Sequence, residues 1–198
     1  SSKPYKSMKE FIAAVKANPG KMSFSSAGVG SMLHVAVPLV LKLMGVPNPK
    51  DAMNHIPYKG GGAAATAAVG GHVDLVCTNS SALTSHIAGG KLRPLMITTK
   101  ERQAVAKEAP TARELGFPEV EVLVGWSGIY GPPNMDPKIA AKIRGALQKV
   151  KKDKAWNKFT KALGSVPYIL DGPSTKKFVD DQFGAFSTLV KELDMIIE

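Results

Sequence analysis

The sequence predicts an α/β fold with a largely parallel sheet. Short β-rich runs alternate with helical patterns through the first half of the chain. Glycine- and serine-rich loops stand where each run gives way to a helix. The apolar residues switch between a period of two and a period near 3.6 from one segment to the next.

The first element is a helix opened by Ser7 and Glu10, the serine-x-x-glutamate pattern of a capping box. Phe11, Ile12 and Val15 form its apolar stripe, and Asn18-Pro19-Gly20 stops it. Met22 and Phe24 then alternate with polar neighbours as in a short strand. After the loop SSAGVGS (residues 25–31), Leu33, Val37, Val40, Leu41 and Met44 recur at helical spacing up to Gly45. His55-Ile56-Pro57-Tyr58 reads as a second strand, followed by Lys59-Gly60-Gly61-Gly62 and a small-residue helix over residues 63–69. Gly70-Gly71 ends that helix. Residues 73–77 form a third strand, and Ser80 or Ser81 caps a helix that runs to Ala88 before Gly89-Gly90. Residues 92–98 are apolar and β-rich, with Pro94 marking an edge or irregular strand.

Residues 100–118 read as a loop with a short helix, and residues 120–129 as strand-like, carrying Trp126. Gly131-Pro132-Pro133 is a break, beyond which the character becomes helical. Asp136-Pro137 starts a helix, with an N-cap followed by proline at the first helical position. Ser174 is expected to cap the last helix, whose buried face is Val179, Phe183, Phe186, Val190, Leu193 and Ile197. There is no internal repeat and no low-complexity segment.

Composition narrows the class. A chain of 198 residues with 44% hydrophobic and 21% charged residues is that of an ordinary globular protein, long enough to bury a core. No apolar run approaches the ~18 residues that span a bilayer, and the opening SSKPYKSMKEF has no apolar segment of the kind a secretory leader carries. Cys77 is the only cysteine, which rules out a disulfide within the chain and reads as a buried thiol.

The formal charge of +10 raises nucleic acid, an anionic membrane surface or a small carboxylate as partners. Nine basic and two acidic residues fall between Asp136 and Lys161. Lys138, Lys142, Lys149 and Lys152 lie within about 80° of one another on a helical wheel, with Ile139, Ile143, Leu147 and Val150 on a separate side expected to face the core. The cluster has one arginine, Arg144, and few aromatics, Trp156 and Phe159, so it reads as a solvated helix face rather than a nucleic-acid surface.

Strand, glycine-rich loop, helix is the arrangement that offers free backbone N–H groups and the positive end of a helix dipole to an anion. Residues 25–31 have it, residues 59–62 repeat it after the second strand, and Asn79-Ser80-Ser81 does so after the third. Three such loops at the carboxyl ends of successive parallel strands converge where open α/β sheets bind ligands. Sharper motifs fail. Leu33 stands where a dinucleotide fingerprint needs glycine, and no Gly-Lys-Ser/Thr follows the glycines. There is no Gly-x-Ser-x-Gly elbow. His34, one turn into an amphipathic helix, reads as a capping or packing residue rather than the partner of a catalytic serine; His55, His72 and His86 show no metal-ligand spacing, and Asp74 beside a glycine turn reads as structural. No catalytic constellation, cofactor site or metal site is visible, so an enzyme is not expected.

The ordered set of segments resembles the solute receptors of the tripartite tricarboxylate transporters, the Bug family of bacterial periplasmic binding proteins. The matching stretches are YKSMKEF (5–11), ANPGK (17–21), SSAGVGS with His34, HIPYKG (55–60), GGHVDL (70–75), AGGKLR (88–93), PTARELGFP (110–118) and WSGIYGPP (126–133). Each is generic alone; the order is specific and covers nearly the whole chain. The resemblance implies a two-lobed α/β fold of the periplasmic-binding-protein type II kind. It implies a receptor that closes on an organic anion, often a carboxylate, and delivers it to membrane permease subunits. It also implies that family members extend further at the amino end. On that basis residues 1–123 would be a complete second lobe, and residues 124–198 the mainly helical portion returning to a first lobe that is partial here.

Ligand contacts are then expected from Ser25, Ser26, Gly28, Gly30, Ser31, Lys59, Gly60, Asn79 and Ser80, by backbone and hydroxyl donation, with Lys59 as charge complement and Tyr58 and Trp126 as cleft walls. Weak or absent binding by these 198 residues alone is expected, together with self-association. The competing readings are an α/β enzyme or a ligand-sensing regulatory domain acting on a small anionic metabolite.

Overall fold

A computed structural model describes residues 3–195 of the chain. Its centre is a three-stranded parallel sheet of β1 (Met22–Ser26), β2 (Met53–Pro57) and β3 (Leu75–Val76), in the order β2-β1-β3. The helices between them are α1 (Met8–Ala17), α2 (Met32–Leu43) and α3 (Gly61–Val69). A 3-10 turn at Ser80–Ala82 leads into α4 (Thr84–Ala88), and two further 3-10 turns occupy Ala104–Ala106 and Pro118–Val122. The second half of the chain contributes α5 (Pro137–Lys152), α6 (Lys154–Ala162) and α7 (Gly172–Glu192).

The two-residue alternation of β1 sorts its side chains between the faces of the sheet. Phe24 joins the main core with Phe11 and Val15 of α1, Val35 and Leu41 of α2, and Leu123, all essentially inaccessible. Ser25 points the other way, and its hydroxyl donates to the Ala64 carbonyl of α3 at 3.1 Å. α3 is built of alanine and glycine, and Ala64 and Ala65 are completely buried, so this helix lies close on the sheet. α7 packs against α2 and against the Pro118–Val122 turn.

The capping box at α1 forms with a variation. Ser7 Oγ accepts the Glu10 N–H at 3.2 Å, while the Glu10 carboxylate reaches past the cap to the Lys6 N–H at 2.8 Å. Asp136 caps α5 as expected, accepting the Lys138 N–H at 2.8 Å. The basic stretch is two helices rather than one. Asp153 ends α5 and caps α6, accepting the Trp156 N–H at 2.6 Å. The last helix is capped by Asp171, not by Ser174. Its carboxylate accepts the Ser174 N–H at 2.8 Å, and Pro173 sits in the first turn.

Several sequence expectations are corrected. Residues 92–98 form no strand; their ladder contact is a single parallel bridge between Ile97 and Thr111. An apolar cavity of about 520 Å³ lies between these residues and β3, and among the described residues the two-residue β3 pairs with β1 alone. Residues 120–129 are likewise a 3-10 turn and irregular chain instead of a strand. α5 buries none of its residues, and Ile139 and Ile143 are 53% and 37% exposed. On α7, Phe183 is 72% exposed, whereas Phe186, Leu189, Val190 and Leu193 pack inward. Ile197 lies outside the described residues. No helix among the described residues is long and apolar enough to cross a membrane.

Candidate functional site

The parallel topology sets three loops side by side at the carboxyl ends of the strands: residues 26–31 after the central β1, residues 58–60 after β2 and residues 77–80 after β3. Backbone bonds lace them together. The Tyr58 N–H donates to the Ser26 carbonyl at 3.0 Å, and the Cys77 N–H to the Ser25 carbonyl at 2.9 Å. Gly61 comes so close to the third loop that a Cβ there would overlap Thr78 Oγ1.

The serine hydroxyls of the first loop are bonded within the protein. Ser25 is fully buried and tied to Ala64. Ser26 is also fully buried; its Oγ pairs with His55 Nε2 at 2.8 Å and donates to the Gly28 carbonyl at 3.2 Å. Ser31 Oγ donates to the Gly28 carbonyl at 2.9 Å and accepts the His34 N–H at 3.2 Å, so it is the N-cap of α2. An anion reaching the first loop would therefore meet backbone donors rather than these serine hydroxyls.

The start of α3 is suited to it. Gly60 is the N-cap and has no side chain to offer, and no side chain caps the helix. The N–H groups of Gly61, Gly62 and Ala63 are then the unsatisfied donors that helix geometry leaves at an N-terminus, with the positive end of the dipole behind them. Gly60 sits at φ 99° and Gly28 at φ 139°, conformations that L side chains rarely adopt. At Gly28 and Gly60 an added Cβ would meet nothing within 4 Å, so both glycines border open space. Lys59 is exposed beside Gly60, Tyr58 is half-buried, and Ser80 is half-buried at the start of the 3-10 turn that follows Asn79. The side chain of Asn79 lies so close to Gly125 that a Cβ on that glycine would overlap its Oδ1, which joins the third loop to the chain leading to Trp126.

Trp126 is held by α7. Its Nε1 donates to Gln182 Oε1 at 2.5 Å, and its ring meets Phe178 edge-on at 5.8 Å. Gln182 is buried, and its Nε2 donates to the Val122 and Val124 carbonyls at 3.0 and 3.1 Å. Sequence reasoning missed Gln182, because a glutamine among the apolar positions of α7 gives no sign of the irregular chain it serves. It also missed the ring stack of Phe24, His55 and His34, with centroids 4.8 Å apart in the first pair and 3.8 Å in the second. Burial lowers the pKa of His34. Burial, followed by the neighbouring His34, lowers that of His55 to about 4, so both rings are neutral at pH 7.

Asp74 is structural, as its position beside a glycine turn predicts. Its carboxylate accepts the Ser23 N–H at 2.9 Å and pairs with Lys3 Nζ at 2.5 Å, and its carbonyl accepts Tyr5 Oη–H at 2.5 Å. Cys77 lines the apolar cavity, and burial pushes its thiol pKa up to about 12. Among the described residues no group of three or more His, Cys, Asp or Glu could hold a metal ion.

Comparison with known proteins follows the same lines. A model of the tripartite tricarboxylate transporter family receptor matches residues 1–195. Protein BugT of Bordetella pertussis is 32% identical over 186 residues, which cover 94% of this chain and 55% of BugT. A solved periplasmic transporter superposes with a TM-score of 0.86 at 31% identity, covering 96% of this chain and 61% of that one. MatC from Rhodopseudomonas palustris, solved with bound malate, superposes with a TM-score of 0.80 at 26% identity, covering 94% and 63%. The chain thus spans little more than half of BugT and about three-fifths of each solved structure. Its α/β architecture is that of the periplasmic binding proteins, and the chain belongs to the tripartite tricarboxylate transporter family of receptors.

Proposed function

We propose that this chain is the ligand-gripping part of a periplasmic receptor that captures a small organic anion, a carboxylate, and presents it to the permease subunits of a tripartite tricarboxylate-type membrane transporter. The observation that carries this reading is the start of α3. It brings uncapped backbone donors to the same sheet edge as the glycine loop after β1 and the loop after β3. Backbone N–H groups at a helix start match a carboxylate in charge sign and geometry without a dedicated arginine. The malate bound by the related MatC is a ligand of this chemical class.

The contacts are assigned to the backbone N–H of Gly28, the start of α3 after Gly60, and the loop of Asn79 and Ser80, since His34 already holds the Gly30 N–H. Lys59 supplies charge, and Tyr58 supplies a wall. Ser25, Ser26 and Ser31 hold these donors in place instead of touching the ligand. Residues 1–123 serve as one lobe and residues 124–198 as the portion passing to the other. The exposed apolar side chains Ile129, Tyr130, Phe159, Tyr168 and Phe183 favour self-association of the 198-residue chain taken alone, which light scattering at increasing concentration would reveal.

The test is a thermal-shift screen of the full gene-encoded protein against mono-, di- and tricarboxylates, amino acids and nucleotides. A ligand raises stability by RT ln(1 + [L]/Kd), about 4 kcal/mol at a thousandfold excess over Kd. Stabilisation by a carboxylate supports the reading. Stabilisation by nucleotides alone would replace it.

A further inference from the structure

We propose that the stacked pair His34–His55 positions the 26–31 loop from both ends, and that protonation of His34 releases its Gly30 end. Only the ligand arm of the test below rests on the receptor reading above; the loop geometry does not.

The two histidines are 21 positions apart in sequence. Parallel pairing places His55 of β2 directly opposite Phe24 of β1, and the first turn of α2 lays His34 over it. The three rings form one stack, Phe24–His55–His34, with interplanar angles of 29° and 17°. One nitrogen of each histidine is bonded to the loop. Gly30 donates its N–H to His34 Nδ1 at 3.2 Å, so Nδ1 carries no proton and the hydrogen of the neutral ring sits on Nε2. On the other side, Ser26 Oγ donates to the Gly28 carbonyl, which leaves it to accept from His55 Nε2–H. The loop is thus tied at Ser26 through His55 and at Gly30 through His34. Gly28 and Gly30 both sit at positive φ, where the chain has no side chain of its own to stiffen it.

Protonation undoes the Gly30 tie directly, whereas a proton on His55 Nδ1 leaves its Nε2–H on Ser26. A proton on His34 Nδ1 turns the acceptor of the Gly30 N–H into a second donor, and that bond is lost. A positive charge 3.8 Å from the His55 ring then opposes the second protonation, and two charged rings repel across the stack. From β1 the pair faces Phe24 and Ser26, from the loop Gly30, and from β2 and α2 each other. No carboxylate or amine shifts either ring; burial acts on both, and His34 adds to it at His55. The stack is therefore a neutral-only brace, firm at pH 7 and weakened in acid.

The experiment is a pH titration of the full gene-encoded protein by NMR, following the ring protons of both histidines and the backbone amides of residues 26–31. Both rings should titrate below the ordinary histidine range, and the Gly30 amide resonance should move along the His34 titration curve. In His34→Gln the amide oxygen can accept the Gly30 N–H but cannot titrate, so the Gly30 shift at neutral pH should stay near the parent value and its pH-dependent movement should vanish. His55→Phe, which keeps the stack and removes the tie to Ser26, should broaden or shift the Ser26 and Gly28 resonances while leaving those of α1 in place. Histidines that titrate as free imidazole, or a Gly30 amide that ignores the His34 titration, would overturn the proposal. Malate affinity measured at pH 7 and pH 4.5 forms the ligand arm. A loop that responds to His34 in a protein that binds no carboxylate keeps the brace and removes the receptor reading. Carboxylate binding with an unresponsive loop does the reverse.

Discussion

Replacing Asp74 by alanine removes the carboxylate that anchors the start of the central strand. Oδ2 accepts the Ser23 N–H at 2.9 Å, and Oδ1 pairs with Lys3 Nζ at 2.5 Å; the Asp74 side chain is 22% exposed and that of Lys3 36%. Burial alone would raise the Asp74 pKa. The bonds from Lys3 and the Ser23 N–H, with the Lys3 charge, outweigh it and hold the group below its ordinary range. Leaving a half-buried N–H without an acceptor costs about 1–3 kcal/mol. The ion pair, being partly solvated, adds at most about 1 kcal/mol. Asp74→Ala should therefore lose about 2 kcal/mol. For a chain of this size that lowers Tm by roughly 4–8 °C. Asp74→Asn keeps an acceptor for the Ser23 N–H and gives up only the charge, so it should lose about a third as much. Thermal unfolding followed by circular dichroism at pH 7 measures both. An alanine variant that melts within about 1 °C of the parent, or an asparagine variant as unstable as the alanine, would refute the assignment of the loss to the Ser23 bond.

Three other outcomes follow from the same contacts. Gly61→Ala forces a methyl group onto Thr78 Oγ1, so it should weaken carboxylate binding at least tenfold while circular dichroism shows the fold intact. Gln182→Ala frees Trp126 Nε1 and two backbone carbonyls; it should cost about 2–3 kcal/mol and red-shift the tryptophan emission. The histidine pair makes stability pH-dependent, because a folded pKa below the unfolded one favours the neutral form. That contribution is complete above about pH 6.5 and is lost as pH falls toward about 4. Discounted for solvent screening at half-buried rings, the loss is on the order of 1–2 kcal/mol. It should show as a falling Tm across that window, flattened in His55→Phe.

Local chemistry made much of the fold legible. The Ser7 and Glu10 pattern, the glycine stops and Asp136-Pro137 each act over three or four residues, and each lies where the sequence puts it. Three parallel strands with loops at one edge follow from the alternation of strand and helix. What failed depended on partners distant in sequence. Residues 92–98 and 120–129 have β-rich composition, but a strand exists only where a neighbouring ladder accepts it, and among the described residues these stretches have no ladder beyond the single Ile97–Thr111 bridge. Ser174 and Asp171 are both acceptable N-caps, and only the bond direction separates them. The amphipathic pattern of α5 is plain, yet among the described residues Ile139 and Ile143 stay exposed instead of joining the core.

The candidate site was legible as three loops but not in its chemistry. SSAGVGS reads as a row of donors, and the structure turns its serines inward, to Ala64, to His55 and to the cap of α2. Strand alternation already implied that Ser25 and Ser26 point to opposite faces. That both faces are covered became clear only with α3 and α2 in place. The His34–His55 stack could not be read at all, since it needs the pairing of β1 with β2 and the entry angle of α2 together.

The central claim is that a carboxylate is held by backbone donors at this sheet edge, and a titration of the full gene-encoded protein with malate, read at the backbone amides, tests it most directly. Saturable shifts are expected at Gly28, Gly60, Gly61 and Gly62, with the amides of α1 unmoved. Saturable binding of malate or another carboxylate that leaves those four glycines unchanged and moves residues elsewhere would contradict it.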